Sequence, residues 1–168
     1  MSAFSIAALA RPAALALALS AAGLAQAQVT VQDAWVRATV PHQKATGAFM
    51  RLVSPKDARV VSVSTPAAPV AEIHEMKLVD NVMKMRAVPG LELPAGKAVE
   101  LKPGGYHVML MDLPAQVKEG DTVPLTLVVE GKDGQRETLQ VQAKARGVAA
   151  GAGSAPAGGH TGHGEHKH

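Results

Sequence analysis

From Val29 to Ala143 the chain is cut into short runs by turn signals, and no helical periodicity of useful length survives between them. Ser54-Pro55-Lys56-Asp57, Thr65-Pro66, Asp80-Asn81, Pro89-Gly90, Pro94-Ala95-Gly96, Pro103-Gly104-Gly105 and Gly131-Lys132-Asp133-Gly134 are the breaks. Pro and Gly fix or free φ in ways that end regular structure, and Asn and Asp tolerate turn conformations. The runs between them are strand-length and rich in β-branched residues. Strands are expected over 29–37, 47–53, 59–64, 70–78, 82–88, 98–101, 106–113, 122–130 and 137–143, with 39–46 as a loop holding His42. Pro124 suggests an edge or a strand start. Many short strands at this spacing imply an all-β sandwich or barrel, but do not choose between sandwich topologies.

Both ends of the chain depart from this pattern. Residues 1–27 carry Arg11, an Ala/Leu run, and the small-x-small ending Ala25-Gln26-Ala27, the form of a cleavable export signal. The run is short and Ala-rich against the roughly 20 apolar residues of a membrane span. Cleavage after Ala27 is expected, leaving a periplasmic protein that does not span the membrane. A lipid-anchored protein needs a cysteine after the signal, and the sequence has none. Residues 28–146 then form one domain of ordinary size. From 147 to 168 the chain turns Gly/Ala-rich and ends in His160, His163, His166 and His168. Such a composition cannot build a core, so a disordered tail is expected.

Composition narrows the function. Trp35, Tyr106, Phe4 and Phe49 are the only aromatics, so the core must come from Val, Leu, Ile, Ala and Met. The formal charge of +3 is small and scattered, with no basic stripe interleaved with aromatics, which argues against nucleic acid. The absence of cysteine excludes a blue-copper centre and disulfide exchange. No base-activated nucleophile and no carboxylate dyad stands out, so an enzyme is not expected.

What remains is a concentration of soft donors. Five of the seven methionines and two of the seven histidines lie between His74 and Met111. They fall as His74-Glu75-Met76, Met83-Lys84-Met85 and His107-Val108-Met109-Leu110-Met111. Side chains alternate along a strand, so each His-x-Met or Met-x-Met pair faces one way. Glu75 then faces the other way. Neutral thioethers with imidazole suit a soft, low-charge ion, and Cu(I) is the candidate. Methionine is also a common core filler, so packing is the competing explanation for each one singly.

The spacing also resembles a known ligand pattern. Ten residues separate His74 from Met85, twenty-one separate Met85 from His107, and Met109 follows one residue later. This is similar to the H-(M)-x10-M-x21-H-x-M motif of the periplasmic PCuAC copper chaperones. The segments Ile73–Met76, Val82–Arg86 and Leu101–Met111 resemble the family too, and the likeness covers about residues 29 to 145. The resemblance implies a cupredoxin-like Greek-key β-sandwich and assigns His74, Met85, His107 and Met109 as Cu(I) ligands. Met76, Met83 and Met111 stand outside those four as auxiliary candidates. It further implies delivery to the copper centres of respiratory haem-copper oxidases, alongside a Sco-type thioredoxin-fold protein.

A neutral site of this kind favours Cu(I) over Cu(II), which prefers nitrogen and oxygen. Its imidazoles must be unprotonated, so affinity should fall below about pH 6.5, while thioethers do not titrate. The tail histidines suit Cu(II). A flexible stretch of about 20 residues reaches ~25 Å, enough to visit the domain's own site. A passive copper buffer serving tolerance is the alternative function. An electron-transfer cupredoxin is disfavoured by the missing cysteine.

Overall fold

The computed structural model describes residues 28–147. Among them are ten strands: β1 (Thr30–Arg37), β2 (Ala45–Val53), β3 (Ala58–Ser64), β4 (Val70–Val79), β5 (Val82–Ala87), β6 (Leu91–Leu93), β7 (Ala98–Leu101), β8 (Tyr106–Met111), β9 (Thr122–Gly131) and β10 (Arg136–Arg146). They join one sheet in the order β5-β4-β8-β7-β2-β1-β10-β9-β3-β6, with β8 also paired directly to β2. The sheet curls until β3, near one end of that order, packs back against β4, near the other. This is the expected all-β, cupredoxin-like Greek-key sandwich. Two pairings are parallel, β1 with β10 and β7 with β8.

Alternation places the core. In β9, Val123, Leu125, Leu127 and Val129 are buried and the residues between them are not. Thr46, Ala48, Met50 and Leu52 of β2 and Val108 and Leu110 of β8 are buried in the same way. Aliphatic residues fill the interior, as the scarcity of aromatics required, and Met50 is the one methionine among the core residues.

Two local details differ from the sequence reading, and a third, Pro124, meets it as a residue near a strand start. Leu91–Leu93 lies between two Pro/Gly breaks and reads as a connection, yet it forms β6 on the outer edge of β3. Burial of Leu91 and Leu93 on either side of exposed Glu92 holds it there. Strand β2 begins at Ala45, because Ala45 and Thr46 pair with Met111 and Leu110. Pro124 sits in β9, an interior strand, but close to its start. Its carbonyl accepts from Thr65 Oγ1 at 2.7 Å, just past the end of β3. The missing N–H therefore faces the same side, where no ladder partner remains.

Two turns carry conformational demands. Asp80 and Asn81 both have positive φ, 53° and 60°, so the β4–β5 hairpin closes through a two-residue turn whose twist suits the strands. Gly134, at φ 76°, closes the β9–β10 hairpin.

Lys132, in that second hairpin, donates to Asp57 Oδ2 at 2.6 Å, and the Ala95 N–H donates to Asp57 Oδ1 at 2.8 Å. The Lys132 hydrogen bond, then that of Ala95, holds the Asp57 carboxyl below its usual value. A carboxylate depressed in the folded state stabilises it above the unfolded value and loses that effect as pH falls through the folded one. The same contact raises the Lys132 ammonium, so Asp57→Asn should flatten the acid limb of stability against pH below about 4 and also remove the loss of stability that the pair shows as Lys132 deprotonates at alkaline pH, measured by denaturant unfolding. Leu127→Ala, at a fully buried position, should cost about 2–5 kcal/mol in the same measurement.

Candidate metal centre

Strand pairing decides which side chains meet. In β4 and β8, Ile73 lies opposite Val108 and His74 opposite His107. Ile73 and Val108 are buried, so their pair faces the core and the His74–His107 pair faces outward. The two rings lie 5.9 Å apart between centroids. On the other side of β4, Met76 lies opposite Met85 and Leu78 opposite Met83. Directly opposed residues of an antiparallel pair share a face. His74, Met76, Met83, Met85, His107, Met109 and Met111 therefore all belong to the outer face of neighbouring strands.

A cleft of about 280 Å³ opens on this face. Met76, Met85, His107 and Met109 line it, with Phe49, Gly47 and Arg37 as its wall and Pro103-Gly104 at its rim. Three of the four residues assigned by the motif, Met85, His107 and Met109, thus meet there. His74 stands beside the cleft, next to His107, and Met76 enters in addition. Met83 lies one row toward the hairpin tip. Met111 lies one row the other way, between Val70 and Ala45. His42 occupies a turn at φ 68° and is not part of this group. The tail histidines lie outside the described residues, as does the export segment.

Each imidazole is held by one nitrogen. His107 is buried, and its Nδ1 is 3.0 Å from the Gly105 carbonyl, which can only accept. Nδ1–H therefore donates, and Nε2 keeps its lone pair. His74 Nε2 is 3.0 Å from Glu72 Oε2, while its Nδ1 is buried without a hydrogen-bond partner. A carboxylate accepting from one ring nitrogen leaves the other as a lone-pair donor, the usual second partner of a metal-bound histidine. An unpaired buried nitrogen is costly unless something satisfies it. Among the described residues no three His, Asp or Glu side chains form a metal cage. The donors gathered on this face are two imidazoles and thioethers, which fit a soft ion and not calcium, magnesium or a carboxylate-bound zinc.

The site wall escaped the sequence reading. Trp35 and Phe49 are direct partners across β1 and β2, with centroids 4.4 Å apart, and Phe49 lies 6.3 Å from His107. The Arg37 guanidinium sits 5.7 Å over the Phe49 ring and that of Arg146 5.6 Å over Trp35. A glycine inside a strand was the available signal, because it often marks close approach. A Cβ on Gly47 would stand 2.8 Å from Phe49 Cζ. Gly47 thus lets the ring lie flat along the strand beside the cleft.

On the opposite face of the same strands, Arg86 Nη2 donates to Glu75 Oε2 at 2.7 Å. That bond holds the Glu75 carboxyl below its usual range. Burial first, then the Glu75 carboxylate, raises the Tyr106 phenol. Glu75 does point away from the histidines, and it braces β5 to β4 from behind.

Gly47→Ala should push the Phe49 ring toward the cleft. The expected result is a changed near-UV circular dichroism from the Trp35–Phe49 pair and a stability loss of roughly 1–3 kcal/mol. An unchanged aromatic spectrum would mean that the ring does not need the space.

Comparison with known proteins places the chain. Residues 29–144 match the model of the family described as "Putative lipoprotein LpqE-like". The "Putative lipoprotein Lxx21020" of Leifsonia xyli subsp. xyli is 32% identical over 117 residues, covering 69% of each chain. The solution structure of DR1885 from Deinococcus radiodurans with Cu(I) is similar at 35% identity and a TM-score of 0.56, covering 74% of this chain and 83% of that one. The copper-bound PCuAC domain from PmoF2 shares the fold, with a TM-score of 0.57 at 21% identity over 71% of this chain and 92% of that domain. With most of its described domain inside the matched range, this chain belongs to the LpqE-like family.

Proposed function

We propose that this chain is an exported, periplasmic copper chaperone, not an enzyme. It holds Cu(I) through His74, Met85, His107 and Met109 and hands copper to a haem-copper oxidase subunit, with a Sco-type protein as co-worker. The observation that carries this reading is the His74–His107 pair with thioethers on the same outer face. A soft, neutral donor set suits a monovalent ion and leaves its charge uncompensated, which favours Cu(I). Position supports transfer over storage: the cleft is on the sheet exterior, where a partner's ligands can reach the ion. The Cu(I) form of DR1885 supports the choice of metal. The description of the family as lipoprotein LpqE-like agrees with export.

In this reading Glu72 orients His74 so that Nδ1 faces the ion, and Gly105 orients His107 so that Nε2 does. Met85 and Met76 approach from β5 and β4, and Met109 from β8. The ion is cargo, so release matters as much as capture, and half-exposed Met85 is the ligand a partner can displace first.

The sequence of the His-rich tail favours a second reading, a copper buffer with no dedicated acceptor. Loss of oxidase assembly on deletion under copper scarcity would support the chaperone, and unchanged assembly with lowered copper tolerance would support the buffer.

Titration of the protein with Cu(I) under reducing conditions should reveal one tight equivalent. Met85→Ala and His107→Ala should each abolish or strongly weaken it. Glu72→Ala should weaken it by about 10–100-fold, as loss of a carboxylate behind a metal-bound histidine does. Wild-type affinity in His107→Ala would refute the site. Truncation at Gly147 should abolish Cu(II) uptake and spare Cu(I), and an unchanged Cu(II) stoichiometry would reject the tail's role.

A further inference from the structure

The geometry points to a second soft-metal station on the β4–β5 hairpin, made of Met76, Met83 and Met85, through which Cu(I) enters the cleft. The inference rests on the copper reading above and concerns residues that the four-ligand motif leaves out.

Three observations converge. First, register puts all three thioethers on one face. Met76 and Met85 are direct partners, and Met83 is two residues along β5 from Met85 on the same side. Directly opposed side chains have Cβ atoms about 4.5–5.5 Å apart, and their diagonal neighbours remain within reach of long side chains. Three flexible thioethers at these separations can close on one ion.

Second, these methionines are not core filler. Met83 is 49% exposed and Met85 48% exposed. Every residue of β5 is exposed, and among the described residues β5 is an edge of the sheet. Packing, the ordinary use of methionine, explains buried Met50 but does not explain Met83. A half-exposed thioether on an edge hairpin retains a lone pair that faces solvent.

Third, the arrangement is directional. Met83 stands nearest the hairpin tip. Met76 and Met85 come next and also line the cleft, with His107 and Met109 beyond them. Met85 belongs to both groups, so the two stations are filled in succession, not together. The charged residues Lys77, Lys84 and Arg86 occupy the reverse face of the hairpin, leaving the thioether face neutral. A ligand set of thioethers alone is softer and, in this proposal, weaker than one with imidazole, so an ion moves from the hairpin to the histidines toward higher affinity. The step is a ligand exchange in which Met85 stays bound, Met83 and Met76 leave, and the two imidazole nitrogens and Met109 take their places, with copper Cu(I) throughout.

The test uses the full chain carrying 13C-labelled methionine methyl groups, with Ag(I) as a redox-inert soft probe and chelated Cu(I) as the donor in the kinetic arm. In the chain carrying both His74→Ala and His107→Ala, which lacks the tighter site, the Met83, Met76 and Met85 methyl signals should shift together as silver is added. Met83→Leu, close in volume and unable to ligate, should leave the equilibrium Cu(I) affinity unchanged. It should slow loading on the order of tenfold, the rate effect of removing one weak interaction from the transition state. A Met83 methyl that stays still in that variant, while Met85 and Met109 respond to silver in the unaltered chain, would overturn the hairpin station and leave the chaperone reading intact. Wild-type loading in Met83→Leu would overturn it too. Imidazole and Met109 signals that stay still at saturation would overturn the copper reading, and Met83 would then decide the station by its own shift.

Discussion

The pairing of β4 with β8 is the constraint on which everything else depends. Ile73 and Val108 are buried against the core, and that burial holds His74 opposite His107 on the far side. A slip of one residue would expose Ile73 and bury His74, exchanging an apolar contact for an unsatisfied imidazole. The hydrophobic core therefore sets the geometry of the polar face without touching it. β5 inherits this register through its own pairing with β4, which brings Met85 to Met76.

Placing the donors on the outside of the sheet has chemical consequences. An interior site would be dry and hard to empty, whereas this cleft is open along one side. Its soft character comes from exclusion as much as from the sulfur present. Glu72 is engaged with His74, and Glu75 is turned to the reverse face and engaged with Arg86. No third hard donor completes a cage among the described residues. Two of the domain's three aromatics gather here as well: Trp35 and Phe49 form the wall, while Tyr106 packs against the aliphatic core. Two guanidinium groups lie over those rings and fasten the wall from outside.

The edge strand β5 shows the competing demands. A free, exposed edge invites pairing with other chains, and charged residues blunt it. Lys84 and Arg86 do so on one face, while the other face keeps its methionines uncovered. Lys84 lies directly opposite Lys77, a like-charge pairing that works against the hairpin. The Glu75–Arg86 ion pair and the two-residue turn at Asp80-Asn81 hold it together nonetheless. With little packing of its own, the strand leaves Met83 and Met85 half-exposed.

Much of this was legible in the residues alone. Turn chemistry and alternation are local, so the strands carrying His74, Met85, His107 and Met109, the Asp80-Asn81 hairpin and the all-β class could be read without knowing any long-range contact. The period of two also settled that Glu75 faces away from its neighbours. Other features could not be read, because they arise between segments far apart in the chain. Leu91–Leu93 is too short to announce itself and becomes β6 only by docking on β3. Phe49 becomes a wall of the site because β2 pairs with both β1 and β8. Glu72 acquires its partner from the rotamer of His74, and Met76 enters the cleft through its cross-strand contact with Met85. The sequence by itself determined which atoms are chemically able to bind and which way each strand turns them. Only the tertiary structure decided which of them meet, because sheet register is set by burial of the opposite face.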